Sequence, residues 1–219
     1  MQNSINMHLM HGLRKHNFFC LSKGATDDAL MEEERMKSVL NLRVWVAALA
    51  VGLAMPAMAM AGEWVTPAID GYGGVHPLPH AMVQPNPKHR YKAIFDVTSH
   101  AKDPSEVNPG LKHVARAVNA FASAGVPLSH LHFVAIVHGP ATSAILSDAA
   151  YKKLFNVDNP NIDLLSKLKK AGVKVFVCGQ AMYDLKYPLA DVSKDVHVAL
   201  SALPTVVIYG DMGYAYMKQ

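Results

Sequence analysis

The chain predicts an α/β domain built on a mostly parallel sheet with helices on both faces, three layers in all. Three observations carry this. Strand-like and helix-like segments alternate from Tyr91 onward, the strand-like segments are nearly continuous in apolar residues, and the helices between them open and close with capping signals. Apolar-throughout strands belong to parallel sheets covered on both sides, and strand–helix alternation is the pattern of such sheets.

Tyr91-Lys92-Ala93-Ile94-Phe95-Asp96-Val97 is the first strand. After a polar loop, Asn108-Pro109 opens a helix, with a cap residue followed by proline at the first helical position. Leu111, Val114, Ala115, Val118, Phe121 and Ala122 recur at helical spacing, and Gly125 closes it. His130 to Val137 is the second strand, ended by His138-Gly139-Pro140, with a short helix running on through Ala144 and Ile145. Asn159-Pro160 repeats the opening device for a helix whose inward stripe is Ile162, Leu165 and Leu168, and which Gly172 ends. Val173, Val175, Phe176 and Val177 form a third, β-branched-rich strand. Val196 to Ala199 is a further strand. Leu203 to Gly210 fits a helix or a strand, and Gly213-Tyr214-Ala215-Tyr216-Met217 a short final strand.

Cys178 stands where the third strand hands over to a helix beginning Gly179-Gln180-Ala181-Met182. The unsatisfied N–H groups of that helix favour a thiolate, and a thiolate is a sulfur nucleophile. Ligands of parallel sheets bind beyond the strand C-terminal ends; His138 and Cys178 fall at that edge, as do Asp96 to Ser99. His138 is a candidate general acid/base or partner for the thiolate, with a strand-end hydrogen-bonding histidine as its plainer reading. Gly179, Gln180 and Tyr214 are candidates for a ligand pocket. For Gln180 the plainer reading is a solvated first-turn side chain, for Tyr214 packing, and for Cys178 a buried structural thiol.

The composition is that of a globular protein with one apolar run: 219 residues, 51% apolar and 17% charged. The run, Val44 to Ala61, follows Lys37 and Arg43 and ends in Ala59-Met60-Ala61. It reads as a signal peptide, residues 36–61, cleaved before Gly62; as a retained anchor it would sit at the lower limit of spanning length and carry Pro56. From Met1 its basic leader would run to about 40 residues, whereas Met36 gives an ordinary one. Glu32-Glu33-Glu34 corresponds to purine-rich codons of the kind found in a ribosome-binding sequence. Translation is therefore expected to start at Met36, with residues 1–35 upstream of it. The mature protein is expected in the periplasm, free of the membrane once the signal is removed.

Residues 62–90, rich in proline and glycine, read as an extended arm. It is either a disordered leader or an arm packed on a neighbouring subunit, since Trp64, Ile69, Tyr72, Val75, Leu78 and Met82 are too apolar for a plain spacer. The net charge of +4 is too weak and dispersed for nucleic acid binding. Of the two cysteines only Cys178 would survive processing, so an internal disulfide is excluded. His130, His132 and His138 share a strand parity, but no recognised metal-ligand spacing appears, nor a phosphate-binding glycine motif or a nucleophile elbow. No metal or cofactor is expected.

Strand, single cysteine, small residue and helix, in that order over Gly172 to Met182, resemble the DsrE/DsrF-like family, which includes sulfur-relay subunits. The likeness runs from Tyr91 to the C-terminus, so the DsrE-like domain is expected at 91–219. Its further pieces are the Tyr91–Thr98 strand, the Leu111–Phe121 helix, Val137-His138-Gly139, Ala171-Gly172-Val173 and Gly213-Tyr214-Ala215. The likeness is closer still to exported single-domain members carrying a Val-Cys-Gly-Gln string and a Gly-Tyr-Ala ending. The resemblance implies a five-stranded, flavodoxin- or Rossmann-like fold and assembly into homotrimers or homohexamers. It also implies a sulfurtransferase-like role, with Cys178 carrying persulfide sulfur between a donor and an acceptor, each a protein or a small sulfur compound. Relatives that lack the cysteine leave a second expectation, a non-catalytic binding or assembly module with a structural cysteine.

Overall fold

The computed structural model describes residues 63–219; the expected upstream extension (1–35) and signal peptide (36–61) lie outside them. Five strands make one all-parallel sheet in the order β4-β3-β2-β1-β5: β1 Tyr91–Val97, β2 Leu131–Val137, β3 Lys174–Cys178, β4 His197–Ala199 and β5 Ala215–Lys218. The helices are α1 Pro109–Ser123, α2 Asp148–Phe155, α3 Ile162–Lys170, α4 Gly179–Asp184 and α5 Ala202–Asp211, with a 3-10 turn over Gly139–Ile145.

Side-chain alternation divides the sheet into two unequal faces. Ala93, Phe95, Val97, Phe133, Ala135, Val137, Val175 and Val177 point to the larger core, shared with Leu111, Val114 and Val118 of α1 and Leu164, Leu165 and Leu168 of α3. Ile94, Val134, Ile136 and Cys178 point to the other face, where Ala202, Val206 and Tyr209 of α5 cover them. Among the described residues α5, with Ala181 of α4 beside it, covers the second face, and the outer residues Leu203, Val207 and Ile208 of α5 stay exposed. No helix among the described residues is long and apolar enough to cross a membrane.

The capping signals hold where the helix is well marked. Asn108 Oδ1 accepts from Leu111 N at 3.0 Å at the start of α1, and Gly172, at φ 87°, ends the turn after α3. The start of α3 differs. It opens at Ile162, because Asn159 is spent on loops: its Nδ2 donates to the carbonyls of Ala144 and Leu146, and its Oδ1 accepts from Asn161 N. Asn161 Oδ1 in turn accepts from Asn108 N at 2.8 Å. This buried chain of asparagines fixes the loops that follow β1 and β2. Helix α2 has no counterpart in the sequence expectations. Ser147 caps it and Asp148 lies in its first turn, but it buries only Ala150 and Tyr151, too few to make a periodic stripe.

Part of the arm is folded onto the chain's own body. Val65 and Val75 bridge antiparallel, Ile69 is fully buried, and Asn119 of α1 binds the loop between them. Beyond it, Leu78, Met82 and Val83 are exposed.

Candidate functional site

At the carboxyl edge of the sheet β3 ends in Cys178, whose extended backbone (φ −67°, ψ 113°) makes it the cap residue of α4. Its Sγ accepts from Ala181 N at 3.4 Å and lies 3.9 Å from Ser201 Oγ. Ser201 occupies the N-cap position of α5 without making a side-chain cap bond, so its hydroxyl is free to face the sulfur. Cys178 is 5% exposed, with Ile94, Val134, Ile136 and Ala202 in the same apolar cluster. The sulfur therefore has an apolar floor and two polar neighbours.

Gly179 and Gln180 border a groove of about 480 Å³ beside α4, together with Tyr183, Leu189, Val198 and Leu200; Cys178 is not among its lining residues. Gly179 is needed there for space: a Cβ would stand 2.9 Å from the Ala199 carbonyl oxygen. Gln180 is exposed and donates to the Leu200 carbonyl at 3.4 Å.

His138 continues β2 one step past Val137, and Val137 pairs with Val177, so His138 stands level with Cys178 on the adjacent strand and the same face. The two do not hydrogen-bond. Instead Nε2 of His138 meets Oδ1 of Asp96 at 2.5 Å, and the other carboxylate oxygen accepts from the Tyr216 hydroxyl at 2.5 Å. Three adjacent strands, β2, β1 and β5, thus contribute one residue each to a polar cluster. Side-chain exposure is 29% for His138 and 15% for Asp96, so it is open to solvent on one side. The Tyr216 phenol is held above its ordinary range, first by donating to Asp96, then by burial and by the carboxylate's charge.

Tyr214 lies elsewhere. Ala215 pairs with Ala93, which sets Tyr214 level with Lys92 at the amino end of the sheet. There it stacks edge-on to Tyr209 at 4.8 Å, under the Lys92 ammonium. It does not join the Cys178 edge; the tyrosine that does is Tyr216, two residues on. Strand parity was the available signal for Asp96 and Tyr216, since Ile94 pairs with Tyr216 and puts both strands' even positions on one face. Among the described residues no group of three or more His, Cys, Asp or Glu is arranged to hold a metal ion.

Comparison with known proteins adds the family. The DsrE/DsrF-like family model matches residues 92–218. The chain belongs to the DsrE/DsrF-like family. No curated protein matches this DsrE-like chain. Among solved structures it is similar to MTH1491, a protein of unknown function from Methanobacterium thermoautotrophicum, at 14% identity and a TM-score of 0.44. It is also similar to the ychN protein of E. coli, at 13% identity and a TM-score of 0.43. Each alignment covers 59% of this chain and 99% of the other.

Proposed function

We propose that this DsrE-like protein carries sulfane sulfur on Cys178. The thiolate attacks the outer sulfur of a persulfide donor. A new S–S bond forms to Sγ, the donor's own S–S bond breaks, and its electron pair leaves on the donor thiolate. The transferred sulfur keeps its oxidation state, so no oxidant or cofactor enters. The observation that supports this best is the Ala181 N–H that donates to Sγ, with the Ser201 hydroxyl, which accepts from the thiol, placed to turn and donate once the sulfur ionises.

Incubation with a small persulfide followed by intact mass is expected to add about 32 Da, the mass of one sulfur, to the wild type and nothing to Cys178→Ser. A wild type that stays unmodified ends this reading. The setting proposed for it is the periplasm, after removal of residues 36–61, as a homotrimer or homohexamer that meets a sulfur donor and an acceptor. A mature protein whose N-terminus is not Gly62 counts against the export step.

The 5% exposure of Cys178 in an apolar cluster favours a second reading, a binding or assembly module whose cysteine is packing. Under it Cys178→Ser folds, assembles and keeps its partners, and no sulfur adduct forms on the wild type.

A further inference from the structure

The Asp96–His138–Tyr216 cluster is built like a proton-handling centre, yet it is not directed at the cysteine. Asp96 uses both oxygens as acceptors, one for Tyr216 and one for His138. A carboxylate only accepts, so this bond assigns a proton to Nε2, and in the neutral ring it leaves Nδ1 as the lone pair. Such orientation by a carboxylate is what makes a histidine a competent base. The bond to β1 draws the ring away from β3, where Cys178 sits.

The geometry of sulfur exchange gives this offset a use. Attack on an S–S bond proceeds in line, so an attacking sulfur lies about 4 Å from the leaving one, roughly two S–S lengths. Adjacent strands are about 4.8 Å apart. A base one strand over, at the register level of Cys178, is therefore placed for the incoming nucleophile rather than for the cysteine itself. It is also the accessible part of the edge: His138 is 29% exposed in its side chain while Cys178 is 5% exposed overall.

We propose that His138 is the general base that discharges the Cys178 persulfide to a small neutral thiol, with Asp96 and Tyr216 as its positioning residues. This rests on the carrier reading above. The acceptor's S–H bond breaks and its proton passes to Nδ1 of His138. The acceptor sulfur bonds to the outer sulfur of the persulfide, the bond to Sγ breaks, and its electron pair returns to Cys178 as thiolate beside Ala181 N–H. The acceptor class follows from the chemistry: a protonated thiol needs the base, and an anion such as sulfite does not.

The purified protein is loaded with a small-molecule persulfide, loading is read by mass, and discharge is timed with 2-mercaptoethanol and separately with sulfite. His138→Gln is expected to lower the thiol-to-sulfite rate ratio roughly 100-fold, the scale of general-base catalysis. Asp96→Asn, near in shape but unable to fix the same imidazole tautomer, should lower it in the same direction. A merely structural role would slow both acceptors together and leave the ratio unmoved. Wild-type loading with an unchanged ratio in both variants overturns this proposal and leaves the carrier standing. Failure of the wild type to load overturns the carrier and this step with it.

Discussion

Tyr216 of β5 donates its hydroxyl to Asp96 of β1 across neighbouring parallel strands, at 2.5 Å. Ionising that phenol would break the bond and set an anion against the carboxylate. Tyr216 is therefore expected to titrate above the other exposed tyrosines, and Asp96→Asn to bring it down. The sign is that of a folded-state pKa raised above the unfolded one. The contribution to stability is complete below the ordinary tyrosine range near pH 10 and is lost as pH rises through the raised value. The ultraviolet absorbance of phenolate, taken as the difference between wild type and Tyr216→Phe, measures it. A Tyr216 that titrates with the rest would mean that the bond to Asp96 does not hold in solution.

Asn119 is fully buried on α1 and clamps the arm. Its Oδ1 accepts from Ala68 N and Ile69 N, and its Nδ2 donates to the Tyr72 and Gly73 carbonyls at 2.8 and 3.1 Å. Asn119→Ala leaves these main-chain groups without partners, at a cost of about 1–3 kcal/mol for a buried polar group. Urea unfolding should show that loss. Proteolysis should cut residues 63–75 in the variant before the remainder of the domain.

Asn119 also marks what was legible in the sequence and what was not. Elements whose burial is periodic could be read: β1, β2, β3 and the α1 stripe appear where their apolar residues put them, and so does Cys178 at the end of β3. Segments held by polar side chains could not. Nothing in the spacing of Asn108, Asn119, Asn159 and Asn161 says that they bind loops far away in sequence. Nor could the arm's docking be inferred, since Ile69 is one apolar residue among turn formers. From its residues alone α5 was ambiguous, because Val206, Val207 and Ile208 are β-branched and so suit a strand; the family resemblance favoured a helix followed by a strand, and the sheet's second face is where that helix packs. At the site, the cysteine and histidine were visible as residue types. Asp96 was placed at the same edge as His138, but Tyr216 was not, because it meets Asp96 only when β5 returns to pair with β1 rather than with β4.

Gly179 lets β4 approach the start of α4. The Cβ of Gly179→Ala would lie 2.9 Å from the Ala199 carbonyl oxygen and 3.4 Å from that of Leu200. Both are backbone atoms, so the strand itself must move, and a change of this kind typically costs about 1–3 kcal/mol. The next residue along is Ser201, which faces Sγ. The variant should melt earlier and, in the folded state, react faster with thiol reagents, as Ser201 and α5 shift off the sulfur. Unchanged reactivity would mean that this loop does not cover Cys178.

The outer surface of α5 is apolar and exposed among the described residues. Leu203 is 80% exposed, Val207 62% and Ile208 56%, and Leu200 stands just before them at 76%. Monomers rarely leave such neighbours together in water, and this helix is the lid of the face that holds Cys178. The homotrimer or homohexamer proposed above is placed to cover it. Val207→Glu combined with Ile208→Glu places two charges on exposed helix positions, where neither disturbs the core beneath. Light scattering should then give a monomer mass for the variant and a multiple of it for the wild type, with unchanged helix content by circular dichroism. A wild type that is monomeric at high concentration would refute the assembly. A variant that keeps the wild-type mass would move the interface to another surface.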